Sequence, residues 1–256
     1  MPTLIDSHSH FDDDTFSPDR EAALARAQAA GVTQQIVPAI SAAFWPRLRD
    51  VCQQYSGLYP AYGLHPMYLP AHRREHLDQL ADWIAQEQPV AVGECGLDYF
   101  VKGLDKSQQE QFFLAQLQLA REAHLPVIIH ARRAVDDVIK QIRRVAGSYG
   151  VVHSFSGSEV QAKRLLDLGF YLSFGGPITY PRANKLRQLV SKLPLEGILL
   201  ETDSPDQPLF THRGERNEPA YLPEVLYTLA ELRQQAPADI AAITHHNTLT
   251  LFNMTP

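Results

Sequence analysis

Apolar residues along this chain fall into short β-rich runs, each followed by a stretch with helical periodicity. The runs that read as strands are TLIDSH (3–8), TQQIVPA (33–39), LYPAYGL (58–64) and PVAVGE (89–94). PVIIHA (126–131), GVVHSF (150–155), FYLSFG (170–175) and GILLET (197–202) complete the set. The 3.6-residue period predicts helices over 19–30, 76–87, 107–124 and 159–168, and two more near 222–234 and 238–252. No sequence repeat, low-complexity segment or Gly/Ser linker interrupts the alternation. Eight strands alternating with helices over about 250 residues is the count of a (β/α)8 TIM barrel, an α/β fold built as a single domain over 1–256. The runner-up, a doubly wound open sheet, would carry a glycine-rich phosphate turn after its first strand. Here that place holds His-Ser-His.

Composition narrows the class. A chain of 256 residues that is 45% hydrophobic can bury a sizeable core, and its net charge of -6 sets up no global field for nucleic acid or anionic lipid. The two cysteines, Cys52 and Cys95, suggest no disulfide framework and fit a reducing cytoplasm. No apolar run is long enough to span a membrane, and the N-terminus does not read as a signal peptide. The expectation is a soluble, cytoplasmic, monomeric protein without a membrane partner.

In such a barrel, chemistry collects at the C-terminal ends of the strands. Those ends carry His8 and His10, His65, Glu94, His130, His153 and Asp203. A lone strand-end histidine is usually a hydrogen-bonded structural residue; side chains of metal-ligand type at six strand ends are not explained that way. Residues i and i+2 of a strand face the same side, so His8 and His10 can converge on one cation, with Asp203 completing its shell. Glu94 lies where a carboxylate could bridge two ions, and His130 and His153 supply the second position. Imidazole with carboxylate suits Zn, Mn, Fe or Ni. A two-metal site activates water and clamps the oxygens of an in-line displacement. Asp203 could also accept the proton of the attacking water.

Around these residues, Asp98 and Glu201 are candidates to orient ligands through hydrogen bonds. His65 and Arg132 are candidate substrate contacts, since Arg132 lies two residues beyond His130 and could hold a phosphate in a fork. Cys95 should point away from Glu94 and is not expected to bind metal. His72, His76, His124, His212, His245 and His246 read as surface or helix residues.

The motifs DSHSHFD (6–12), YGLHP (62–66), VGECGLDY (92–99), PVIIHARRAVDD (126–137), VVHSFSG (151–157), GGPITYPRANKLR (175–187) and LLETDSPD (199–206) run in order over nearly the whole chain. As a set they resemble the TatD-related metal-dependent hydrolases (the TatD DNase family of the amidohydrolase superfamily), and among them the YjjV-type bacterial members. The resemblance implies a TIM barrel with a divalent-metal centre and hydrolytic activity, several relatives being deoxyribonucleases. Carried over position by position, it implies the metal ligands His8, His10, Glu94, His130, His153 and Asp203. These would hold two divalent ions (Zn, Mn, Mg or Ni), with Glu201, where relatives hold an additional ion, as a candidate ligand for a third. Glu94 stands where many amidohydrolases place a carbamylated lysine, so the centre needs no carboxylation to assemble. Cys95 and the YPRANKLR stretch depart from the family's usual pattern and bear on substrate preference.

The leading function is therefore a phosphodiesterase, a deoxyribonuclease acting on DNA ester bonds, with Glu94 and Asp203 as its catalytic residues. The alternative is hydrolysis of a small-molecule ester, lactone or amide, and the least favoured reading is a metal-binding or docking protein without catalysis.

Overall fold

The computed structural model describes residues 2–255. Its strands are β1 (Leu4–Asp6), β2 (Val32–Pro38), β3 (Leu58–Tyr62), β4 (Ala91–Asp98), β5 (Val127–Arg132), β6 (Gly150–Val152), β7 (Phe170–Phe174) and β8 (Ile198–Leu200). The helices are α1 (Arg20–Ala29), α2 (Trp45–Gln54), α3 (Glu75–Glu87), α4 (Lys106–Glu122), α5 (Val135–Arg144), α6 (Glu159–Asp167), α7 (Asn184–Lys192), α8 (Leu222–Arg233) and α9 (Pro237–Phe252). The strands form one eight-stranded sheet in the order β1 to β8, with parallel pairing and helices after each strand, which is the (β/α)8 arrangement. No helix among the described residues is long and apolar enough to cross a membrane.

Two compact units can be told apart within the described residues: 2–37 with 154–158 and 172–255, and 38–153 with 159–171. In the second unit β4 is buried at every position, as expected of a parallel strand covered on both faces. It runs four residues past the predicted end at Glu94. The stretch from Cys95 to Asp98 continues the strand, because β4 and β5 approach closely there. At Gly96, whose φ is +139°, an added Cβ would lie 2.1 Å from the carbonyl oxygen of His130. Only glycine permits that register beside His130.

Helix α4 shows how the strand ends are fixed. It starts at Asp105, whose carboxylate accepts the backbone N–H of Gln108 at 2.7 Å. Its inward face buries Phe112, Phe113, Leu117 and Ala120, and also two glutamines seven residues apart, Gln109 and Gln116. Each amide acts as a substitute peptide group. Gln116 accepts from Leu64 N–H at 2.7 Å and donates to Leu64 C=O at 3.2 Å, just before His65. Gln109 does the same for Asp98, at 2.8 and 3.0 Å. Gln116→Leu would leave the Leu64 N–H and C=O buried and unsatisfied. It is expected to cost about 1–3 kcal/mol, read as a lower urea midpoint with an unchanged m-value.

Candidate metal centre

In the first unit, β1 ends at Asp6, so His8 and His10 lie beyond the strand rather than on it. The strand is shorter than predicted because the chain bends at Ser7, yet backbone bonds hold the segment from both sides. His8 C=O accepts from Asp203 N–H at 2.9 Å, Ser9 N–H donates to Ile36 C=O at 3.0 Å, and His10 N–H donates to Ser204 C=O at 2.7 Å. The ring nitrogens Nε2 of His8 and His10 are 3.3 Å apart, and Asp203 Oδ1 lies 3.5 and 3.6 Å from them. His8 is fully buried and Asp203 nearly so.

Asp203 has a φ of +56°, a left-handed conformation that turns its carboxylate back toward the histidines. Its Oδ2 accepts from the Gln207 amide, whose Oε1 accepts from Ser154 Oγ at 2.9 Å. Buried Asn217 pins this turn by donating to Thr202 C=O and Asp206 C=O, both at 2.8 Å. Asp6 ties the two strand ends: its carboxyl accepts from Thr202 N–H at 2.9 Å and Thr202 Oγ at 2.5 Å. Burial pushes that carboxyl up to about 8. Glu201 is fully buried; it accepts from Ser154 N–H at 2.7 Å and from Ser173 Oγ.

The second unit presents Glu94, His65, His130 and His153. Glu94 Oε1 lies 2.8 Å from His65 Nε2, 3.0 Å from His130 Nδ1 and 2.8 Å from His153 Nε2, while His130 Nδ1 and His153 Nε2 are 3.3 Å apart. The protons can be assigned. His65 Nδ1 accepts from Met67 N–H at 3.1 Å, and burial holds the ring neutral, down at about 4, so its Nε2–H donates to Glu94. His65, expected as a substrate contact, is thus buried against Glu94. Asp98 Oδ2 stands 2.9 Å from His130 Nε2. Burial raises the Asp98 carboxyl, but hydrogen bonds from His130, Val101 and Phe100 outweigh it and hold it at about 2. An ionised Asp98 accepts from His130 Nε2–H and leaves Nδ1 aimed at Glu94.

These donor sets fit a cation. Ligands about 2.0–2.1 Å from one tetrahedral ion stand roughly 3.3 Å apart. The His8–His10–Asp203 triangle has edges of 3.3 to 3.6 Å and the Glu94–His130–His153 triangle edges of 2.8 to 3.3 Å. Clusters of buried histidine and carboxylate able to bind metal are present, His65, Glu94 and His130 among them. Cys95 is in neither triangle; its buried thiol lies 3.8 Å from Ile128 C=O and is pushed up by burial.

Arg132 is exposed, with its guanidinium carbon 3.8 Å from the centroid of the Phe100 ring. Of the residues read as surface or helix, His76 lies on the buried face of α3, and His72 is buried outside any α-helix. The segment Pro66–Ala71 folds back and lets His72 Nε2–H donate to His65 C=O at 2.9 Å. The sequence reading missed Asp6, Gln207 and Asn217. A buried acid inside a strand, as in LID, is the one local signal that could have drawn attention to the first.

The model of the family described as TatD related DNase matches residues 5–253. The uncharacterized metal-dependent hydrolase YjjV of Escherichia coli K12 is 44% identical over 254 residues, covering 98% of each chain. The uncharacterized metal-dependent hydrolase YabD of Bacillus subtilis 168 is 35% identical over 253 residues, covering 98% of this chain and 99% of YabD. The crystal structure of the Escherichia coli YjjV protein, a TatD homologue, superposes with a TM-score of 0.95 at 43% identity and 98% coverage of each chain.

Proposed function

This chain belongs to the TatD-related DNase family, and on that premise we propose that it is a divalent-metal-dependent phosphodiesterase that hydrolyses DNA ester bonds. The coarser statement, a metal-dependent hydrolase of that family, rests on near full-length similarity. The finer one rests on the description of that family as DNases, and the two donor triangles, whose edges are near those of ligands to a shared ion, would supply the metal chemistry it needs. In this reading His8, His10 and Asp203 hold one ion, and Glu94, His130 and His153 hold another. The imidazole-rich donor sets suit Zn, Mn or Ni better than Mg.

Divalent ions bound there would acidify water and polarise the phosphoryl oxygens. The protein's own groups do the rest. Asp203 Oδ1 accepts the proton of the attacking water, while the Gln207 amide holds Oδ2. Asp98 holds the His130 tautomer, and His65 donates to Glu94 and fixes its rotamer. Glu201 is a structural acceptor for Ser154 and Ser173 and a candidate ligand for an additional ion.

Steady-state hydrolysis of oligonucleotides, run beside a panel of small esters and lactones with defined metals, tests the reading. Turnover of esters or lactones without oligonucleotides would replace it with the small-molecule alternative. Arg132→Met sharpens the test. A phosphodiester transition state spreads charge over equatorial oxygens that a guanidinium stabilises, whereas an ester develops a single oxyanion. The expected loss is at least about tenfold on the phosphodiester, roughly 1.4 kcal/mol, with metal content unchanged and a smaller loss on esters.

A further inference from the structure

Phe100 follows β4 by two residues and is 45% exposed, although a phenyl ring gains nothing from water. Two consecutive arginines pack on it, Arg132 with its guanidinium carbon 3.8 Å from the ring centroid and Arg133 at 4.7 Å. Beside them Lys106 Nζ lies 4.2 Å over the Tyr99 ring, and Tyr99 N–H donates to Arg132 C=O at 2.9 Å.

Several neighbouring carboxylates have other partners, while the charge of Asp137 acts on Tyr99. Asp98 accepts from His130, Asp105 caps α4, Glu110 takes Tyr99 Oη and Gln141, and Asp136 takes Gln161 and Arg164. Among the described residues neither Arg132 nor Arg133 has an ion pair. A ring orients a guanidinium without neutralising it, and two like charges on one ring repel. In a chain with net charge -6, Arg132, Arg133 and Lys106 thus set three cations around two aromatic rings, one of them 45% exposed.

The patch is also wired to the candidate metal centre. Asp98 Oδ1 accepts Phe100 N–H at 2.9 Å and Val101 N–H at 3.0 Å, while Oδ2 faces His130 Nε2. Arg132 is two residues beyond His130 on β5, about 7 Å along the strand. That is within reach of a single nucleotide.

We propose that Phe100, Arg132 and Arg133 form a subsite for one unpaired nucleotide of a nucleic-acid strand. The base stacks at the Phe100 face and the two guanidiniums hold its phosphate. This rests on the phosphodiesterase reading of the adjacent ligands, and it adds a requirement for a single-stranded or frayed segment.

The test is fluorescence anisotropy on the metal-loaded full chain. The probes are a short phosphorothioate oligothymidylate, an abasic oligomer of the same length, and a blunt duplex. The parent should bind the single strand more tightly than the duplex. Phe100→Ala and Phe100→Leu should weaken oligothymidylate binding about tenfold and abasic binding less than about twofold. Arg133→Met should weaken both strands and flatten the salt dependence. Oligothymidylate binding within about twofold of the parent in both Phe100 variants would overturn the subsite. So would equal losses on the abasic strand, failure of the parent to bind either strand, or displacement by an acidic peptide in preference to the oligonucleotide. Phe100-dependent binding without hydrolysis of any oligonucleotide would overturn the phosphodiesterase reading and leave the subsite standing. Hydrolysis with Phe100-independent binding would do the reverse.

Discussion

Asp203→Asn is expected to lower kcat by at least about 10³-fold, roughly 4 kcal/mol, at saturating metal. The carboxylate is engaged on both sides: Oδ1 faces His8 and His10 Nε2 at 3.5 and 3.6 Å, and Oδ2 accepts from the Gln207 amide. An asparagine amide fits neither orientation. With its NH2 toward Gln207, two donors meet; with its NH2 toward the histidines, a donor replaces the acceptor that the proposed ion and water would need. Side-chain volume is nearly unchanged, so the fold should persist, which circular dichroism and thermal unfolding check. Single-turnover rates in excess metal decide the matter. A loss smaller than about tenfold would remove Asp203 as the base.

Glu94→Gln is expected to cost at least about 100-fold in turnover, near 2.7 kcal/mol, and at least about tenfold in metal affinity. Glu94 Oε1 is the common neighbour of His65, His130 and His153 within 3.0 Å. A neutral amide oxygen there attracts a cation far less, and the amide NH2 would face imidazole nitrogens if it rotated. Calorimetric titration with Zn or Mn reads affinity, and turnover at saturating metal separates loss of the ion from loss of chemistry. Turnover within about twofold of the parent would show that Glu94 does not serve the reaction.

Much of the architecture could be read before any coordinates, because its signals are local. Each predicted strand coincides with an observed one, and GILLET, for example, became Ile198–Leu200. Strand ends were the weak point. An apolar run marks where a strand can lie, but its length depends on how far the neighbouring strands run. TLIDSH therefore stopped at Asp6, and PVAVGE continued to Asp98. Ligand-type residues were legible as histidines and acids following apolar runs. Their support was not: Asp6 with Thr202 bridges 196 positions, Gln116 with Leu64 bridges 52, and Gln207 with Ser154 bridges 53. Nothing in a local window says that a glutamine on a helix face will complete a strand's hydrogen bonding. The same limit hid His65's proton assignment, which follows from the Met67 N–H two residues on.

The glutamines of α4 carry a consequence for isotope labelling. The amide hydrogens of Leu64 and Asp98 sit where ladder bonding runs out, positions that ordinarily trade deuterium with solvent quickly. Here each is donated to a buried amide oxygen, of Gln116 and of Gln109. Exchange at those two sites then requires the helix itself to lift from β3 and β4, not merely the following loops to fluctuate. The pair would act as slow clocks directly before His65 and at Asp98, timing the rare openings of the helix against which these strand ends are set.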